Sequence, residues 1–176
     1  MIPIFKNIKY KNNFIIINFL FFSSILICYI PFIIQYIIPF NNLVVLEEVI
    51  SKRKSEIAAI LVEPVIHSCG CLLPEDGYLE GLRDIASTHN ILLIFDEVLT
   101  SFRHHQGGVQ AIYGVTPDLT AFGKAFSNGY AISGVTGRNQ IMSMFSPEGK
   151  VFYSGTFNGH LLNVTAALKT QEILKD

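Results

Sequence analysis

Residues 91–98, ILLIFDEV, form five consecutive apolar side chains followed by two carboxylates and a valine. A continuous apolar run of this length, without alternation of polar and apolar residues, is typical of a strand that is buried on both faces. Strands of this kind occur in parallel sheets that are covered by helices on both sides. The run therefore predicts an α/β fold, and it places Asp96 and Glu97 at the end of a buried strand.

Helical and extended patterns alternate on both sides of this strand. Apolar residues recur at helical spacing in residues 43–57 and 76–90, and Asp76 is a suitable N-cap for the second helix. Short apolar runs predict strands at residues 58–65, 119–122 and 131–138. Strands separated by helices at this spacing predict a mostly parallel sheet flanked by helices.

The predicted sheet brings several polar side chains to one edge. In open parallel sheets, ligands bind outside the carboxyl ends of the strands. Glu63, Asp96, Glu97 and Lys124 all stand at or just beyond such ends. Because side chains alternate along a strand, Asp96 and Val98 are expected on one side and Glu97 on the other. The two acids therefore have different tasks, and Asp96 and Val98 can face one ligand together.

Composition changes sharply near residue 42. Residues 1–42 are rich in Ile, Phe, Asn, Lys and Tyr and contain no glycine, whereas residues 43–176 have an ordinary mixed composition. This predicts a division into an apolar low-complexity segment, 1–42, and a folded region, 43–176. Three interpretations of the first segment stay open: a membrane span through residues 14–40, a non-native leader of the kind that unselected AT-rich DNA encodes, or a buried or targeting segment.

Charge and cysteine content limit the partners. The net charge of −1 gives no basic surface for nucleic acid.

Cys69 and Cys71 are interpreted as reduced loop thiols, and no metal site is predicted, because His67 supplies at most a third ligand. His104 and His105 are adjacent and are expected to be a solvated pair or part of the rim of an active site.

Two chemistries use an acid at the end of an apolar strand. In P-loop ATPases an Asp-Glu pair holds magnesium and activates water, but the glycine-rich loop that this requires is missing: Asp118 stands at its first glycine and Ala125 at its serine or threonine. In pyridoxal phosphate enzymes an aspartate pairs with the pyridine nitrogen and a lysine bonds to the cofactor aldehyde. Asp96 and Lys124 are the residue types for those two roles.

The second chemistry is supported by a family resemblance. LLIFDEVLTSFRHHQGGVQAIYGVTPDLTAFGKAFSNGYAISGVTGRNQIM resembles the signature region of class III pyridoxal phosphate aminotransferases, in particular the branch that includes glutamate-1-semialdehyde aminomutase. The segments IAAILVEPV, LPEDGYLEGLRDIASTHN and YSGTFNGHLLNVTAALKTQEIL resemble flanking parts of the same family. The resemblance covers about residues 43–176 and implies part of the large domain of a fold-type I PLP-dependent transferase.

The resemblance also implies individual roles. Lys124 would be the catalytic Schiff-base lysine, Asp96 would bind the pyridine nitrogen of pyridoxal 5′-phosphate, and Val98 would pack on a face of its ring. Thr156 would bind the cofactor phosphate across the interface of a homodimer. Glu63 is a substrate-rim candidate, with hydrogen bonding to the backbone as the equal alternative.

The implied reaction is amino-group transfer to or from a small molecule, in a cytoplasmic enzyme. In the family, a glycine- and serine-rich turn upstream of the Glu-Pro strand holds the phosphate, and residues 1–42 contain no glycine. The chain is therefore interpreted as a truncated fragment. The alternatives are a catalytically inactive, membrane-anchored remnant that acts by binding and, less favoured, a P-loop-type ATPase fragment.

Overall fold

The computed structural model describes residues 15–18 and 34–175. Its described residues contain one six-stranded sheet in the spatial order β2-β1-β3-β4-β5-β6. The strands are β1 (Ile15–Asn18), β2 (Ile34–Ile37), β3 (Ile57–Val62), β4 (Leu92–Asp96), β5 (Leu119–Phe122) and β6 (Gly134–Gly137). Neighbouring strands from β2 to β5 are parallel, and β6 alone among these pairs antiparallel, against β5. The predicted α/β class with a mostly parallel sheet is confirmed.

Five α-helices lie among the described residues, and the first two lie where the helical patterns predicted them, with shorter bounds. They are α1 (Leu43–Arg53), α2 (Tyr78–His89), α3 (Gly108–Tyr113), α4 (Asn139–Met142) and α5 (Leu161–Ile173). The predicted cap of α2 by Asp76 is wrong. The N-cap residue is Gly77, in the left-handed region at φ 79°, and it offers no side chain to the first turn.

The hydrophobic core lies where α1 and α2 pack on the strands. Both helices direct fully buried leucines and isoleucines at the apolar residues of β3 and β4: Leu46, Ile50, Ile60, Val62, Leu79, Leu82, Leu93 and Phe95. Burial of a side chain of this size contributes about 1.5–3 kcal/mol, so this contact dominates the stability of the sheet.

Residues just before α1 belong to the same core. Ile38 is 1% exposed, and the ring of Phe40 packs edge-to-face on Tyr78 at a centroid distance of 4.8 Å. The side chain of Asn42 accepts a hydrogen bond from Val45 N at 3.0 Å and caps α1. Residues 38–42 are thus tied to α1 and α2. The predicted domain division at residue 42 stays a prediction.

The predicted membrane span at residues 14–40 falls largely outside the described residues. Among residues 15–18 and 34–175, no helix has the length and apolar character needed to cross a bilayer.

A buried aspartate connects four elements at the amino end of β5. Asp118 accepts hydrogen bonds from Arg83 Nη1 at 2.8 Å and Leu93 N at 2.7 Å, and it forms an ion pair with Arg138, whose Nε lies 3.0 Å from Oδ1. These donors belong to α2, to the residue after β6 and to β4. Two cations and a backbone N–H compensate the burial of this carboxylate. Asp118 therefore fixes the end of the sheet opposite the predicted ligand edge.

Candidate active site

Three neighbouring parallel strands end at the same edge and bring the predicted site residues together. β3 is followed by Glu63, β4 ends at Asp96, and β5 is followed at once by Gly123 and Lys124. Asp96 pairs in register with Ala121, three residues before the lysine. The strand directions therefore bring Glu63, Asp96 and Lys124 to one edge of the sheet, as expected.

Asp96 lies on the less buried side of β4. Leu93 and Phe95 are fully buried, whereas Asp96 is half-buried, and its Oδ1 accepts a hydrogen bond from Val98 N at 3.1 Å. This bond closes a turn that holds the carboxylate beside the end of the strand. Val98 is also half-buried, and its Cγ1 lies 3.7 Å from the position that a Cβ on Gly123 would occupy. Val98 therefore stands next to the residue that precedes Lys124, and Asp96 pairs with Ala121 on β5.

Glu97 has a structural task. It has no exposed surface, and its carboxylate accepts hydrogen bonds from Thr100 Oγ1 (2.9 Å), Val109 N (2.6 Å), Gln110 N (3.1 Å) and Gln110 Nε2 (3.2 Å). The carboxylate thus satisfies the first backbone N–H groups of α3. A side chain buried in this way does not reach a water nucleophile, which removes the basis for the ATPase interpretation.

Lys124 begins a short 3₁₀ turn, Lys124–Ser127, directly after β5. The lysine is exposed and has a left-handed backbone at φ 42°. Gly123 before it is extended, and a Cβ there would lie 3.3 Å from Ser133 Cβ. The lysine is thus presented from a tight turn in which a side chain on the preceding residue would press on Ser133.

Three phenylalanines pack beneath this turn. The ring of Phe126 lies 4.9 Å from Phe122 and 5.1 Å from Phe102, measured between centroids. Phe102 comes from the loop after β4, so the cluster connects that loop to the residues on both sides of Lys124. The sequence contained a usable signal for part of it, since Phe122 and Phe126 flank the lysine symmetrically.

Helix α5 supports the same turn from outside the sheet. Gln171 Nε2 donates to Phe126 O at 2.9 Å, and Asn163 Nδ2 donates to Ala131 O at 2.7 Å. Gln106 Nε2 donates to Gln171 O at 3.2 Å. The lysine turn is therefore held by side-chain bonds as well as by ring packing.

Two other predicted residues lie on loops. Glu63 is half-buried, one residue after β3. Thr156 is exposed in a turn closed by Asn158 N and Gly155 O at 2.9 Å, five residues before α5 begins. The predicted roles of both residues stay predictions.

A separate group of titratable side chains lies on the loops after β3 and β4. His67 Nε2 is 2.8 Å from His104 Nε2, and Cys71 Sγ is 3.3 Å from His67 Nδ1. Partial desolvation, together with the neighbouring His104 and Arg103, lowers the pKa of His67. Among the described residues, no three His, Cys, Asp or Glu side chains are arranged to hold a metal ion. Sequence reasoning considered His67 together with the two cysteines but missed its contact with His104.

The family model for class-III aminotransferases matches residues 23–176 of this chain. The chain belongs to the class III aminotransferase family. Glutamate-1-semialdehyde 2,1-aminomutase of Methanococcus maripaludis is 47% identical over 140 residues, which are 80% of this chain and 33% of the relative. The family match begins well upstream of residue 43 and so includes part of the apolar segment.

Solved structures of aminotransferases share the fold of this class III chain. The β-phenylalanine aminotransferase of Variovorax paradoxus is 30% identical with a TM-score of 0.80, covering 88% of this chain and 38% of that protein. A transaminase with PLP bound is 29% identical with a TM-score of 0.74, covering 80% and 34%. The predicted PLP-dependent transferase fold is confirmed. The class III chain spans about a third of the length of these relatives.

Proposed function

We propose that this chain supplies the lysine and aspartate of a pyridoxal phosphate site for amino-group transfer, of the aminotransferase or glutamate-1-semialdehyde aminomutase type. The observation that carries the proposal is the placement of Asp96 and Lys124 at the carboxyl ends of two paired parallel strands. Members of the class III aminotransferase family use this cofactor. The protein to which these residues belong would act on a small amino donor or acceptor.

The residues at the edge and in the Thr156 turn offer groups suited to several parts of the cofactor. Asp96 offers a carboxylate of the kind that keeps a pyridine nitrogen protonated, and Lys124 offers an exposed primary amine two residues past β5. The apolar side chain of Val98 lies beside Gly123 and suits the face of a ring. Thr156 offers a hydroxyl in an exposed turn for a phosphate oxygen.

Each residue has a distinct part in the proposed chemistry. When bound, pyridoxal phosphate withdraws electrons from the α-carbon of an amino substrate. Asp96 holds a proton at the pyridine nitrogen and so maintains that withdrawal. The Nζ of Lys124 removes and returns the proton at the substrate α-carbon, which needs a movable amine on a fixed backbone. The tight turn and the phenylalanine cluster supply the fixed backbone.

We also propose that the parent protein is a homodimer in which the Thr156 loop faces the second copy. The support is the apolar surface around this loop: Phe152, Tyr153 and Phe157 are 72%, 63% and 76% exposed. Exposed aromatic side chains in one group are typical of contact surfaces.

A chimera tests the proposed function. The matching 140 residues of the Methanococcus maripaludis aminomutase are replaced by those of this chain, and the protein is incubated with pyridoxal phosphate and reduced with borohydride. We expect peptide mass spectrometry to find the cofactor fixed to Lys124, and Lys124→Ala to abolish this labelling. Lys150→Ala, which removes another exposed lysine, is the matched control and should label normally. Equal labelling of the Lys124→Ala chimera would refute the assignment.

A further inference from the structure

Three side chains form a Cys–His–His cluster at the edge of the sheet that also carries Asp96 and Lys124. In this cluster Cys71 Sγ is 3.3 Å from His67 Nδ1, and His67 Nε2 is 2.8 Å from His104 Nε2. Cys71 and His104 are exposed, and His67 is half-buried between them. None of the three has a role in the proposed amino-group transfer.

The loop that carries Cys71 and His67 is built tightly. Ile66 and Leu72 exchange two backbone hydrogen bonds, of 3.0 and 3.1 Å, and close the five residues between them into a small ring of chain. Gly70 and Cys71 both have left-handed backbones, at φ 87° and 59°. Left-handed geometry is costly for a residue other than glycine, so the closed loop fixes the thiol against the imidazole.

The two short contacts define a path for a proton. With both rings neutral, one arrangement satisfies both contacts and has the thiol as donor: S–H donates to His67 Nδ1, and His67 Nε2–H donates to His104 Nε2. If the thiol proton moves to Nδ1 while the Nε2 proton moves to His104, His67 stays neutral. The positive charge then rests on His104, which is exposed and hydrated.

The surroundings favour this direction of transfer. The lowered pKa of His67 keeps its ring neutral near pH 7, so its Nδ1 is available as an acceptor. Arg103 lies close enough to His67 to contribute to that shift, and its positive charge favours the neutral form of the ring. Cys69, two residues away, is also exposed and makes no hydrogen bond to an imidazole among the described residues, so the chain contains its own comparison thiol.

We propose that Cys71 is a nucleophilic modification site for soft carbon electrophiles, activated by transfer of its proton through His67 to His104. The thiolate sulfur attacks the electrophilic carbon. With an alkyl iodide the C–S bond forms, the C–I bond breaks, iodide leaves with the bonding pair, and the proton leaves from His104 to water. The inference is independent of the proposed amino-group transfer.

Competitive alkylation of the full chain tests the proposal. The protein is treated at neutral pH with limiting iodoacetamide, digested with trypsin, and fragmented in the mass spectrometer. Cys69 and Cys71 lie in the same tryptic peptide, residues 55–83, so their labelling is compared within one molecule. We expect Cys71 to react at least about threefold faster than Cys69, which is the gain expected when a larger thiolate fraction outweighs reduced nucleophilicity. In urea-unfolded protein the two rates should be equal.

Two variants separate the proton path from a general effect of the loop. His67→Gln removes the direct acceptor, and His104→Gln keeps the acceptor but removes the final site of the charge. Both should bring the ratio of rates close to equality. His105→Gln changes the neighbouring exposed histidine, whose Nδ1 accepts from Gly107 N at 2.9 Å, and should leave the ratio unchanged. Equal rates in the native chain, a ratio insensitive to His104→Gln, or an equal loss with His105→Gln would each overturn the proposal.

Discussion

Substitution of Gly108 by alanine tests the structural task of Glu97. A Cβ on Gly108 would lie 2.5 Å from Oε1 and 2.6 Å from Oε2 of the buried Glu97 carboxylate. Contacts between carbon and oxygen are normally about 3.3 Å or longer. The carboxylate would therefore have to move away from Val109 N and Gln110 N, which it now contacts at 2.6 and 3.1 Å.

The expected loss has two separable parts. Gly108 has a φ of 75°, so any Cβ there costs about 1–2 kcal/mol for the left-handed backbone. Weakening one or more hydrogen bonds to a buried charge costs about 1.5–3 kcal/mol in addition. We expect Gly108→Ala to lower the free energy of unfolding by about 2.5–5 kcal/mol in total.

The chain offers a matched control for the backbone part. Gly77 has nearly the same φ, 79°, and a Cβ there would have nothing within 4 Å. Gly77→Ala should therefore lose only the backbone part, about 1–2 kcal/mol. Urea unfolding of the full chain, followed by far-ultraviolet circular dichroism, gives both values from midpoint and slope. Equal losses for the two variants would refute the view that the Glu97 carboxylate fixes the start of α3.

Three further outcomes follow from the site and the sheet. In the aminomutase chimera, Asp96→Asn should keep cofactor binding but lose most exchange of the substrate α-proton, because an amide does not keep the pyridine nitrogen protonated. Near-normal exchange in deuterated water would show that Asp96 has a structural role instead. Asp118→Asn should lower the free energy of unfolding by about 3 kcal/mol or more in urea titrations, because two arginines then face an amide in place of a buried carboxylate. A loss no larger than that of Glu80→Gln, which changes an exposed carboxylate, would contradict this. Residues 43–176 alone should be less soluble than the full chain in sedimentation assays, because the edge of β3 and the core around Ile38 are uncovered; equal solubility would count against it.

The central strands were predictable because a strand buried on both faces requires a continuous run of apolar residues. The apolar residues of β4 and the acids after them predicted a buried strand and a polar edge, and the parallel arrangement follows from the helices between the strands. The separate tasks of Asp96 and Glu97 follow from the alternation of side chains along one strand. Local pattern was sufficient in each case.

Other features depend on contacts that local pattern does not encode. The cap of α1 by Asn42 was hidden by the composition change at the same residue, and Gly77 rather than Asp76 is the N-cap of α2 because the chain turns there with a left-handed residue. His67 and His104 are 37 residues apart in the chain, and only the pairing of β3 with β4 brings their loops together. The hydrophobic periodicity of the sequence does not predict a contact between two distant loops.

The spatial order of the strands has a consequence for how the chain folds during synthesis. From β4 to β6, each strand lies next to the strand made just before it. Each newly synthesised strand can therefore add to a free edge that already exists, without insertion between two paired strands. Sequentially neighbouring elements form contacts with low loop-closure cost, which speeds folding. The turn that carries Lys124 is thus completed by the late addition of β6 and α5, after the carboxylate of Asp96 is already in place.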